Sequence, residues 1–146
     1  MPPQRHIFLI DDDASVLRSL GRVMTQAGFT WDAYESADDF LASADLAKSG
    51  CILADLTLIG MTGLDLKERL NSMLHPMPVI FLTAEDTAEV RAAARDAGAV
   101  GFFRKPVDTQ ALLDAIEWAL QDPSDRRSPL AMETAVDTAS SQFKKT

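Results

Sequence analysis

Five short runs of aliphatic and aromatic residues, each followed by a segment with helical spacing, leave this chain few folds to choose from. The runs extend from His6 to Ile10, Thr30 to Tyr34, Cys51 to Asp55, Pro78 to Thr83 and Val100 to Phe103, and all five read as strands. The first, third and fourth are continuously apolar rather than alternating, the pattern of a strand covered on both faces. Between the first two, Val16, Leu17, Leu20, Val23, Met24 and Ala27 share one helical face that ends at Gly28. A second helix is expected after Ser36, a third from near Gly63, and a fourth, TAEVRAAARDAG, ending at Gly98. The fifth opens at an Asp108 cap and sets Leu112, Leu113, Ile116, Trp118, Ala119 and Leu120 on or near its buried side. Alternation of this kind gives an α/β fold with a parallel, doubly wound sheet and right-handed crossovers. Ligands of such sheets sit beyond the carboxyl ends of the strands.

Composition sets the outer bounds. With 146 residues, 47% of them hydrophobic, the chain can bury one ordinary core, so one domain is expected over residues 1–121. Residues 122–146 begin DPSDRRSP and read as a flexible tail or truncated linker, with a short helix near Ala131 to Ala139. No stretch approaches the roughly 18 apolar residues needed to cross a bilayer, and the start MPPQRHIFLIDDD runs into acids instead of a cleavage site. A soluble, cytoplasmic protein without a membrane partner is expected. Cys51 is the single cysteine, which excludes an internal disulfide, and His6 and His75 lie too far apart for a zinc set. The formal charge of −8 disfavours nonspecific attraction to nucleic acid, so direct DNA binding is not expected of this chain.

Polar residues at the ends of the strands gather residues that are distant in sequence. Strand one ends in Asp11, Asp12 and Asp13, strand three in Asp55, strand four in Thr83, and the loop after strand five holds Lys105 and Pro106. One acid of the triplet suffices to cap the following helix. Two further carboxylates beside Asp55 repel it, at a cost on the order of 4 kcal/mol per unit-charge pair at about 4 Å and an effective surface dielectric. A divalent cation removes that conflict. Magnesium suits a site whose available ligands are all oxygen, with manganese as the alternative ion.

A carboxylate can attack a phosphoryl group, and the reaction chiefly needs in-line placement and cancellation of charge on the equatorial oxygens. The ion can neutralise one oxygen, Lys105 a second, and the Thr83 hydroxyl can donate to a third.

The arrangement resembles the receiver domains of two-component response regulators, including those of the nitrogen-fixation regulator type. The resemblance covers residues 6 to 121 and rests on FLIDDD, CILADLTLIGMTGLDL, VIFLTA and GFFRKP, which follow one another in family order. It implies a flavodoxin-like, five-stranded sheet in the order 2-1-3-4-5 with five helices. By the same resemblance Asp11 and Asp12 are the acidic pair, and Asp12 and Asp55 hold magnesium together with the main-chain carbonyl of Thr57. Asp55 is then the phosphoacceptor, Thr83 the switch hydroxyl, Lys105 the phosphate-binding cation, and Phe102 the rotating aromatic. The Lys105–Pro106 bond is cis in most such domains. The loop after Asp55 carries Leu58-Ile59 where Met-Pro is common, and Thr57 and Glu85 occupy positions that border the phosphoryl group.

The implied function is a signalling switch that accepts a phosphoryl group from a sensor histidine kinase or phosphotransfer protein. Thr83 is expected to move to the phosphoryl group and Phe102 to turn inward, changing the face of helix four, strand five and helix five. Arg91, Arg95, Asp96 and Asp114 mark that face as a contact for a partner or a homodimer formed on phosphorylation. Two other readings compete. LIDDDAS also fits the DxDx[ST] motif of haloacid-dehalogenase-type phosphatases, with Asp11 as nucleophile, although a GDxxxD-like motif after Lys105 is absent and Asp55 is left without a role. A truncated transcription factor is the third, but the last 25 residues are too few and too polar for a helix-turn-helix module.

Overall fold

The computed structural model describes residues 6–45, 48–56, 62–72 and 77–121. The elements are β1 (His6–Ile10), α1 (Ala14–Gln26), β2 (Thr30–Tyr34), α2 (Ala37–Ser43), β3 (Gly50–Asp55), α3 (Gly63–Ser72), β4 (Val79–Thr83), α4 (Ala88–Asp96), β5 (Gly101–Arg104) and α5 (Thr109–Leu120). All strand pairs are parallel, in the order β2-β1-β3-β4-β5. The proposed tail from residue 122, with its short helix, lies outside the described residues.

Successive residues of β1, β3, β4 and β5 alternate between two cores. Ile7, Leu9, Leu53, Leu82 and Phe103 pack with Leu17, Leu20 and Met24 of α1 and Leu112 and Ile116 of α5. Phe8, Ile10, Ile52, Phe81 and Phe102 pack with Phe40 of α2, Leu66 and Leu70 of α3, and Ala94 of α4. Helices thus cover both faces, which is why β1, β3 and β4 are buried along their whole length. β2 is an edge strand and stays partly exposed.

The caps sit where side-chain chemistry places them. Ser36, Thr87 and Asp108 accept hydrogen bonds from first-turn amides of α2, α4 and α5. Gly28 and Gly98 follow α1 and α4 with φ of 88° and 93°, a left-handed backbone that glycine adopts without steric cost. Of α5, Leu112, Ala115, Ile116 and Ala119 are buried, while Leu113, Trp118 and Leu120 lie only partly so. α4 is the least anchored helix of the second core, with Ala94 its one fully buried residue.

Candidate functional site

The carboxyl edge of the sheet brings together acids from two neighbouring strands. β1 pairs with β3 in the register Ile10↔Ala54, so Asp11 and Asp55, the next residues of each, emerge side by side. Asp11 and Asp55 are buried, Asp12 is exposed, and one carboxylate oxygen from each of the three lies within 4.8 Å of the others. The third acid of the triplet has another task. Asp13 caps α1, accepting from the Ser15 amide at 2.9 Å and the Ser15 hydroxyl at 2.7 Å, and these bonds hold its carboxyl below the ordinary carboxylate range.

Lys105 reaches this cluster from the far side of the sheet. Its Nζ donates to Asp11 Oδ2 at 2.7 Å and to Asp55 Oδ2 at 3.0 Å. The preceding strand aims it there: Thr83 is paired with Arg104, and the Lys105 amide donates to the Thr83 carbonyl at 2.8 Å. The Lys105–Pro106 peptide bond is cis. One ammonium shared by two carboxylates leaves Asp11 undercompensated: burial pushes its carboxyl above the ordinary 3.8 despite the bond to Lys105. Partial burial acts to lower the Lys105 ammonium, but its bonds to Asp11 and Asp55 outweigh this and hold it above the ordinary 10.5.

Packing keeps the site narrow. A Cβ on Gly63, at the start of α3, would fall 2.8 Å from the Asp55 carbonyl oxygen, so glycine lets α3 begin directly against β3. Beside Lys105, a cavity of about 440 Å³ opens between α1 and the loop before α5, lined mainly by Ser15, Val16, Ser19, Leu82, Pro106 and Val107.

Thr83 is fully buried, and its Oγ1 accepts from the Glu85 amide at 3.0 Å. Phe102 is also fully buried, packed in the core that contains Ala94 and Val90 of α4. A phenylalanine ring has no hydroxyl to satisfy with water, and burial is its favoured state. Thr57 lies outside the described residues. Of the charged residues expected on the α4–β5–α5 face, Arg91 donates through Nε to Asp86 Oδ1 at 2.7 Å, and Asp114 accepts from Gln110. Sequence reasoning passed over Asp86, whose position just before the Thr87 cap was the available signal.

The acids have the donor chemistry of an oxygen-ligated divalent cation: among the described residues three carboxylates lie within reach of one ion, and the Lys105 ammonium bonds two of them.

A parallel sheet in this order, with acids and a lysine at its carboxyl edge, defines a class of proteins that known relatives make specific. The sequence profile of the response regulator receiver domain matches residues 7–117. Transcriptional regulatory protein FixJ of Bradyrhizobium diazoefficiens is 30% identical over 142 residues, 96% of this chain and 69% of that protein. Response regulator protein TodT of Pseudomonas putida is 33% identical over 122 residues, 84% of this chain and 54% of that protein. Among solved structures, response regulator StyR superposes with a TM-score of 0.74 at 34% identity, covering 97% of this chain and 68% of that one. Full-length FixJ from B. japonicum gives 0.76 at 30% identity, covering 84% and 61%. This chain belongs to the response regulator receiver domain family, and it spans about half the length of TodT. The haloacid-dehalogenase-type reading finds no support in these relatives. Among the described residues no helix is long and apolar enough to cross a membrane.

Proposed function

We propose that this receiver domain accepts a phosphoryl group on Asp55 from a phosphohistidine of a sensor histidine kinase or phosphotransfer protein. The observation that carries this reading is the Lys105 ammonium bridging Asp11 and Asp55 beside Asp12. An Asp55 carboxylate oxygen attacks phosphorus, the phosphorus–nitrogen bond of the donor breaks, and the leaving imidazole takes up a proton. Asp11, Asp12 and Asp55 would hold magnesium or manganese, with the Thr57 carbonyl as a further ligand from outside the described residues. Such an ion, when bound, neutralises charge on the transferred oxygens. Lys105 exchanges its bond to Asp55 for one to a phosphoryl oxygen and stays tethered by Asp11. The Thr83 hydroxyl, which has both a donor and acceptor capacity, supplies a bond to another oxygen. Hydrolysis of the acyl phosphate resets the domain, which thus catalyses only its own phosphorylation and dephosphorylation.

Engagement of Thr83 pulls on the β4–α4 connection, and the face of α4, β5 and α5 changes for a partner or for a second copy of the chain. Phe102, buried in the core beside Val90 and Ala94 of α4, is the aromatic proposed to turn with that change. The cytoplasm is the compartment that fits a histidine-kinase donor.

Mass spectrometry after treatment with acetyl phosphate and Mg²⁺ tests the reading. The phosphoryl group is expected on Asp55 and absent from Asp55→Asn. Label on Asp11, or label retained in the variant, overturns it and restores the phosphatase alternative. Sedimentation with and without beryllofluoride tests the dimer: an unchanged mass removes that part of the proposal.

A further inference from the structure

The helix that the switch must move is lightly packed and carries a polar contact at each end. α4 buries only Ala94 completely, with Val90 partly buried beside Phe102. At its far end, Asn71 of α3 donates to the Ala97 carbonyl at 3.3 Å, itself braced by the Lys67 ammonium at 2.7 Å. At its near end stands the Asp86–Arg91 ion pair, 2.7 Å long, with the Asp86 side chain 7% and the Arg91 side chain 19% exposed.

The placement of that pair gives it leverage. Thr87 is the N-cap, so Asp86 occupies the position before the cap and Arg91 the fourth position of the helix. In many helices these two positions hold an apolar pair that fixes the angle at which the chain enters. Here a charge-assisted bond in a largely buried setting does so, with directionality that an apolar pair lacks. Asp86 also follows Glu85 directly, and the Glu85 amide donates to Thr83 Oγ1. Fixing Asp86 therefore fixes Glu85, and Glu85 holds the Thr83 hydroxyl. The side chain of Thr83 lies on the same side of β4 as Phe81, whose core is the one that α4 covers, whereas Leu82 and Lys105 belong with the opposite face.

We infer that Asp86 and Arg91 are positioning residues: their ion pair holds the Glu85–Thr83 bond in its present register and restrains the hydroxyl from the phosphoryl group on Asp55. The pair sets how readily the domain switches. This rests on the phosphoacceptor reading above. Releasing the contact raises the population of the phosphoryl-competent state, and apparent affinity for whatever binds that state rises in proportion.

The test compares wild type, Asp86→Asn, Arg91→Met, the double variant and Arg91→Lys for phosphorylation by acetyl phosphate and for beryllofluoride binding. Both single variants are expected to phosphorylate roughly three- to tenfold faster and to bind beryllofluoride tighter by the same factor. The double variant matches either single one, because both remove one contact. Arg91→Lys, which keeps a cation, falls between, and half-saturation by Mg²⁺ stays unchanged because the carboxylates are untouched. Unchanged or slower phosphorylation in Asp86→Asn and Arg91→Met overturns the inference. Hydrogen exchange at the Glu85 amide of the wild-type protein needs no variant: beryllofluoride should lower its protection, and retained protection also overturns the inference. Wild-type labelling separates the two levels. No label on Asp55 defeats the phosphoacceptor reading, whereas normal label with variant rates equal to wild type defeats only the restraint.

Discussion

The two ends of β1 each carry a buried polar group, and their charge balance is opposite. At the amino end, His6 is 5% exposed; its Nδ1 lies 2.8 Å from Thr30 Oγ1 and its Nε2 2.9 Å from Asp32 Oδ2. Lys48 stands 3.8 Å from the same Asp32 oxygen. Acid, base and hydroxyl are matched there, and the network ties the edge strand β2 to its neighbour. At the carboxyl end, among the described residues, Asp11, Asp12 and Asp55 gather at the Lys105 ammonium, which bonds the first and the last. A satisfied network stabilises a fold and asks for nothing more. An excess of like charge is relieved by proton uptake or by a bound cation.

Substitutions at the two ends should separate cleanly, and the largest effect is expected at Asp55. Asp55→Asn abolishes phosphoryl incorporation measured with acetyl phosphate while the circular dichroism spectrum is retained. Lys105→Met comes next: phosphorylation slows by roughly 100-fold or more, since a cation is lost where charge develops. The same change costs about 1–3 kcal/mol in urea unfolding, because Asp11 stays buried without its strongest partner. Stability equal to wild type would show that the bridge is not part of the folded state.

Third is the response to metal. Mg²⁺ at a hundredfold excess over its Kd should stabilise the wild-type protein by about 2.7 kcal/mol, and Asp12→Ala should lose most of that gain in thermal unfolding. An equal gain in both proteins would place the ion elsewhere. Fourth is pH in the absence of metal. The folded Asp11 carboxyl binds its proton more tightly than the unfolded one, so the folded state holds more protons above pH 3.8. Stability attributable to this group is highest below that value and falls as pH rises through the window above it; Asp11→Asn should remove the fall. Lys105 has the complementary sign at high pH, its contribution being present below 10.5 and lost as pH rises through its elevated folded value.

The smallest effect on phosphorylation belongs to His6. His6→Ala should cost about 1–2 kcal/mol of stability through Thr30, Asp32 and the edge-to-face contact with Phe8, while phosphorylation changes by less than about twofold. A large loss of phosphorylation would erase the contrast between the two ends.

Much of the fold could be read from the chain because its local signals agree. The apolar runs located all five strands, with shifts of one residue where Gly50 and Arg104 join β3 and β5 and Pro78 and Val100 fall outside β4 and β5. Proline lacks the amide a ladder needs, which explains the boundary at Pro78. Ser36 and Asp108 announced helix starts, and Gly28 and Gly98 announced helix ends, through chemistry contained in a few neighbouring residues. The site was partly legible for a different reason. In a parallel doubly wound sheet, strand ends converge, so Asp11, Asp55, Thr83 and Lys105 could be grouped before any distance was known.

Partner choice was not legible. Nothing local distinguishes Asp11 and Asp12 from Asp13, yet the first faces Lys105 and Asp55, the second stays exposed in the cluster, and the third turns back to cap α1. Nothing in the sequence paired Arg91 with Asp86, which the entry of α4 sets against it, or showed how completely packing encloses Phe102. Periodicity and capping act over one turn of helix or two residues of strand, so the sequence alone determined the elements, their order and the acidic edge. Which acid meets which cation, and which aromatic is sealed in, depends on sheet register and helix docking, and these are decided only when the two cores close.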